Sequence, residues 1–221
     1  MCGRFTLTAL PRAVADLFGL SEAPDVSPRY NITPTQPVPV VADAGRGRKL
    51  AMLRWGLIPA WAPPNAGKTA LANARAESLM SKPSFRVPLR RRRCLIPADG
   101  FYEWRKWEGH SYPYHFRLKG GAGVFAFAGL WDRWQGPEGP VDACAIVTTE
   151  ANDLVRPVHD RMPVLLEPAD FDRWLDPAVQ DPAKVLPLLR PFPAERMEAV
   201  AVGAWVNNAR HEGPECLQPA A

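Results

Sequence analysis

Hydrophobic and polar positions in this chain alternate over short stretches, and no stretch keeps one period for long. Over residues 8–19, Leu10, Val14, Leu17 and Phe18 recur on one helical face and Gly19 supplies a stop, which predicts a short amphipathic helix. Residues 38–42 and 49–57 read as two strands joined by a turn over 43–48. A proline-rich loop over 58–69, a helix over 74–81 and a basic segment over 86–93 come next. Strands are then predicted over 94–104, 112–118, 124–134, 143–148 and 198–202. Gly120, Gly121, Ala122 and Gly123 read as a turn, and residues 168–175 and 182–189 as short helices. Several strands with interspersed helices and little βαβ alternation predict an α+β fold. It is expected as one domain over residues 1–221, built on curved, mainly antiparallel, barrel-like sheet with short flanking helices.

Composition sharpens this picture. Of 221 residues, 25 are proline, more than twice the usual ~5%. That excludes a helical bundle or coiled coil and favours short strands and irregular loops. The net charge of +4 conceals an asymmetry, with +9 in residues 1–110 and −5 in residues 111–221. Of the 27 basic residues 21 are Arg, the cation suited to forked contacts with phosphate. One basic face around the N-terminus is therefore expected. No secretory signal is visible, and the longest apolar run, 123–131, is too short to span a bilayer. Cys2, Cys94, Cys144 and Cys216 stand far apart with no CxxC pair. That spacing points away from a zinc site or a disulfide framework and toward a cytoplasmic protein with reduced thiols, no metal and no cofactor.

Cys2 carries the most chemistry. Removal of Met1, usual before a small residue, leaves a free amine and a thiol on adjacent carbons. An α-amine titrates near ~7.7–8.0 and a thiol near ~8.5, so both nucleophilic forms exist at neutral pH. An aldehyde meeting this pair forms a Schiff base with the amine. The thiol then adds to the imine and closes a five-membered thiazolidine, a step favoured by its intramolecularity.

Six words in order frame that residue. They are Cys2-Gly3-Arg4-Phe5, Arg29-Tyr30-Asn31-Ile32-Thr33-Pro34, Trp55-Gly56-Leu57-Ile58-Pro59 and Asn73-Ala74-Arg75-Ala76-Glu77, then Pro97-Ala98-Asp99-Gly100-Phe101-Tyr102-Glu103-Trp104 and Val158-His159-Asp160-Arg161-Met162-Pro163. Together they resemble the SRAP family, named for SOS-response-associated peptidase, over nearly the whole chain. The resemblance implies a sensor that cross-links through Cys2 to the ring-opened aldehyde of an abasic site in single-stranded DNA and protects the lesion. It extends to abasic-site lyase activity through the imine, and to a monomer associated with the nucleoid when bound.

The resemblance also implies roles for individual residues. Asn73, on the family's active-site Asn, would hold the terminal amine or the sugar by hydrogen bonding. Glu103, among Phe101, Tyr102 and Trp104, would have a raised pKa and shuttle protons. His159 would protonate the ring oxygen of the closed sugar or exchange protons during imine formation. Arg4, Arg75 and Arg161 lie within two positions of Cys2, Asn73 and His159 and would clamp flanking phosphates. Trp61 and Pro39 are candidates to wedge or stack beside an extruded nucleotide. Direct DNA contact by Arg90, Arg91, Arg92 and Arg93 stays open. Two other readings are carried. One is a thiol peptidase with Cys2 as nucleophile and His159 as base, including autocatalytic loss of Met1. The other is a non-catalytic single-stranded DNA-binding module.

Overall fold

The computed structural model describes residues 2–68, 71–120 and 123–220. In chain order the strands are β1 (Arg4–Leu7), β2 (Arg29–Ile32), β3 (Pro37–Asp43), β4 (Arg48–Trp55), β5 (Asn73–Arg75), β6 (Arg93–Ala98) and β7 (Gly100–Trp107). They continue as β8 (His110–Leu118), β9 (Phe125–Gly136), β10 (Gly139–Glu150), β11 (Arg161–Pro163), β12 (Leu165–Leu166) and β13 (Met197–Ala201). The α-helices are α1 (Pro11–Phe18), α2 (Pro83–Arg91) and α3 (Phe171–Leu175).

Strands β10, β4, β3, β6 and β9 close a mixed ring. Every pair in it is antiparallel except β4–β10, which closes the barrel in parallel through Arg54 opposite Ala143 and Trp55 opposite Cys144. A second, antiparallel sheet runs in the order β13-β8-β7-β1-β2. The α+β, strand-rich architecture with short helices is the one the sequence predicts. Aromatic packing joins the two sheets. Phe5 on β1 meets Trp55 and Phe127 edge-on at centroid distances of 5.1 and 5.7 Å. Burying such a ring contributes about 2–3 kcal/mol, so Phe5 fixes β1 three residues after Cys2.

Asp99, at the corner between β6 and β7, pins the chain at the end of β1 and just beyond it. Its Oδ1 accepts from Thr6 Oγ1 at 2.6 Å, and its Oδ2 accepts from Thr8 Oγ1 at 2.7 Å and from the Ala9 amide at 2.9 Å. Thr6 Oγ1 in turn accepts from Nε2 of buried His115 at 3.1 Å, which sets that imidazole as the neutral Nε2–H tautomer. Gly19, with φ +63°, ends α1 in the left-handed region, and its amide donates to the Ala15 carbonyl.

Several local expectations are corrected. Residues 74–81 are not a helix: Ala74 and Arg75 belong to β5, paired in parallel with β10, and a short 3-10 turn comes next over Ala76–Ser78. The basic segment is helical as α2, despite Pro88 inside it. The stretch 94–104 is two strands broken at Asp99, and 182–189 is two 3-10 turns. Thr69 of the proline-rich loop, and Gly121 and Ala122 of the glycine turn, lie outside the described residues, as does Met1. No helix among the described residues is long and apolar enough to cross a membrane.

Candidate active site

The site forms where the two sheets meet, because Cys2 lies just ahead of β1 and Asn73 of β5 reaches it. Cys2 is fully buried. Asn73 opens β5 opposite Ile146 of β10, and its Nδ2 donates to the Cys2 carbonyl at 2.9 Å. That bond uses one face of the amide. The Asn73 Oδ1 is buried and has no hydrogen-bond partner among the described residues, so it is placed to accept from an N–H or O–H of a ligand. The sequence sets Asn73 at the terminal amine or the sugar, and the geometry adds a hold on the Cys2 backbone.

Glu103 reaches the same place from β7. The β1–β7 register sets Arg4 opposite Tyr102 and Phe5 opposite Phe101, so the segment before Arg4 runs toward Glu103. Glu103 is only 4% exposed. Burial, aided by the like charge of Asp160, pushes its carboxyl up to about 7. The Cys2 thiol is also driven well above its usual range, first by burial and then by the Glu103 charge. The pair therefore favours a protonated thiol beside a carboxyl poised to gain or lose a proton near neutrality.

His159 sits in the turn between β10 and β11, partly exposed. Its Nδ1 lies 2.9 Å from the Arg161 amide, from which it accepts, and 3.0 Å from Asp160 Oδ1. Burial lowers its pKa, and Asp160 opposes that shift. The Asp160 charge acts on both Glu103 and His159, raising the pKa of each.

The three arginines differ. The Arg4 guanidinium is turned inward, donating to Asn31 Oδ1 at 2.8 Å and to the carbonyls of Val206 and Asn207 at 2.6 and 3.3 Å, with Trp104 beneath it at 5.4 Å. Arg161 is forked onto Glu77 at 2.8 and 2.9 Å and also donates to the Thr148 carbonyl. Arg75 is exposed. Trp61 is 66% exposed, on a loop that leaves and returns through the Leu57–Leu71 bridge, two residues ahead of Asn73. Pro39 is buried within β3, so the expected surface wedge is not available there. In the basic run, Arg90 and Arg91 are exposed and Arg92 pairs with Asp132. Arg93 is buried and donates to the carbonyls of Leu89, Arg90, Trp174 and Asp176, tying α2 to α3.

A cleft of about 490 Å³ beside Cys2 is lined by Gly3, Arg4, Glu103, Trp104, Ser111 and Asn207. Trp104 and Glu77 fall inside the ordered sequence words, although neither carries an expected role. Ser111 and Asn207 carry no sequence signal, because only the β7–β8 hairpin and the return of the C-terminal segment bring them to the cleft. Among the described residues no group of three or more His, Cys, Asp or Glu side chains stands close enough to hold a metal.

The family model described as SOS response associated peptidase (SRAP) matches residues 1–209. The Bacillus subtilis protein named abasic site processing protein YoqW is 41% identical over 223 residues, covering 99% of this chain and 99% of its own. Abasic site processing protein HMCES of Gallus gallus is 31% identical, covering 99% of this chain and 78% of its own. The crystal structure of a Bacteroides thetaiotaomicron protein superposes with a TM-score of 0.88 at 27% identity over 100% of both chains.

Proposed function

This chain belongs to the SOS response associated peptidase (SRAP) family, and from that membership we propose that it processes abasic sites by covalent capture of their aldehyde in single-stranded DNA. The observation that supports the reading best is the Cys2 carbonyl gripped by Asn73 next to a buried carboxyl held near 7. Once Met1 is removed, the Cys2 amine attacks the aldehyde carbon to give a carbinolamine. Glu103, in its acid form, protonates the hydroxyl, which leaves as water, and the nitrogen then returns its proton to the Glu103 carboxylate to give the imine. The Cys2 sulfur then bonds to the imine carbon while the thiol proton passes to nitrogen, closing the thiazolidine. The net change is the loss of one water. His159 serves as the proton donor that opens the closed sugar. Attack by the amine comes first, because burial keeps the thiol protonated and suppresses early thiolate chemistry. The same property weakens the thiol peptidase reading, which needs a thiolate.

Phosphates flanking the lesion are received by exposed Arg75 and by Arg161 as it exchanges Glu77 for phosphate. One chain suffices for the reaction. The test is intact mass and denaturing electrophoresis after mixing the protein with an abasic oligonucleotide. A denaturation-resistant adduct weighing one water less than the sum is expected. No adduct, or an equal yield of unreduced adduct from Cys2→Ala, would overturn the proposal.

A further inference from the structure

Beyond the cleft the chain presents a rigid aromatic surface. Trp205 is 49% exposed. One face is stacked on His211 with ring centroids 3.7 Å apart and planes 23° from parallel. The imidazole is locked in place: its Nε2 accepts from the Asn208 amide at 3.0 Å and its Nδ1 donates to the Trp205 carbonyl at 2.8 Å. The loop beneath is pinned by buried Asn31, whose Nδ2 donates to the carbonyls of Asn208 and His211. An exposed indole held this firmly has lost its conformational entropy in advance, which is the condition for tight stacking on a flat partner.

Its position is as informative as its rigidity. Arg4 donates to the carbonyls of Val206 and Asn207, the two residues after Trp205. Asn207 borders the cleft and accepts from Trp104 Nε1 at 2.7 Å. Trp205 therefore stands two residues along the chain from a residue that lines the cleft. Arg210, exposed on the same loop, supplies a cation for the backbone of a bound strand.

We propose that Trp205, backed by His211, is a stacking platform for an unpaired nucleobase of the DNA strand flanking the lesion. This deepens the abasic-DNA reading and rests on it. Such a contact is indifferent to base identity, since every base offers a π-face.

Fluorescence anisotropy with undamaged oligothymidylate, lengthened one nucleotide at a time, tests it without cross-linking chemistry. Affinity is expected to rise once the strand reaches Trp205. Trp205→Ala loses about tenfold of that gain, Trp205→Leu loses as much while keeping an apolar side chain for packing, and Trp205→Phe keeps most of it. Stacking neutralises no phosphate, so the slope of log Kd against log salt is unchanged in Trp205→Leu. Equal affinity of wild type and Trp205→Leu at every length, or a flattened salt slope, overturns the proposal. Adduct yield at saturating abasic oligonucleotide reports separately on Cys2. Its absence from the wild type would sink the capture reading and still leave the anisotropy to judge Trp205.

Discussion

The side-chain amide of Asn73 holds the backbone carbonyl of Cys2 at 2.9 Å, joining residues 71 positions apart and two different sheets. A bond to a reacting residue's own backbone fixes where its amine and thiol point. Asn73→Ala is expected to slow adduct formation about 5- to 10-fold, the equivalent of about 1 kcal/mol. Asn73→Asp sets a carboxylate against the carbonyl and costs more. Single-turnover rates with an abasic oligonucleotide measure both.

Cys2 separates amine from thiol chemistry. Cys2→Ser keeps the α-amine and loses the ring-closing thiol. It is expected to form no stable adduct alone but to be trapped on DNA by borohydride reduction of the imine. An untrappable Cys2→Ser would place the first attack on sulfur.

The rate should trace a bell with pH. Imine formation needs the amine unprotonated, above ~7.7–8.0, and Glu103 protonated, below about 7. The maximum falls between the two values. Glu103→Gln removes the fall on the alkaline side and lowers the peak. A wild-type profile that rises steadily to pH 9 would exclude Glu103 as the acid.

Stability carries the same signature with a second group opposing it. The folded pKa of Glu103 rises from 4.5 to about 7, so between those values the native state holds more protons than the unfolded chain and stability falls as pH rises. Burial lowers His115 from 6.5 to about 4, so over that window the unfolded chain holds more protons and stability rises with pH. Each effect amounts to about 3 kcal/mol, and across pH 4.5–6.5 they offset each other. Urea titrations should find the wild type nearly flat there. Glu103→Gln should gain stability above pH 7 and show a rising slope below it, and His115→Gln should show a falling one.

The arginine run divides by position. Arg93→Ala removes every guanidinium bond to the ends of α2 and α3 and is expected to cost about 2–4 kcal/mol. Arg90→Ala and Arg91→Ala, both exposed, should stay within about 0.5 kcal/mol. Chemical denaturation distinguishes them.

The long strands, α1 with its Gly19 stop and the barrel-like class were legible, because each shows enough residues to reveal a period. Strands β1, β2, β5, β11 and β12 are two to four residues long, too short for alternation to register. Residues 74–81 have helix-forming composition, but pairing of Asn73, Ala74 and Arg75 with β10 overrides it. Pro88 disguised α2. Cys2, Asn73, Glu103 and His159 are expected as a set only through the ordered words around them. No spacing along the chain announces that Asn73 of one sheet reaches the Cys2 carbonyl ahead of the other. The inward turn of Arg4 and the burial of Pro39 were not legible at all, since both depend on tertiary contacts.

The Asp99 corner turns the numbering of the first residues into a mechanical quantity. Thr6, Thr8 and Ala9 are fastened to it, and Phe5 is wedged between the sheets. Cys2 therefore projects from a fixed post by a set length of extended chain. One residue inserted between Cys2 and Phe5 would turn the tip to the opposite face of β1 and carry it about 3.3 Å past Asn73. A deletion there would leave it short. The reactive end thus behaves as a gauge whose length is written in the reading frame, and such an insertion should abolish capture while leaving the fold intact.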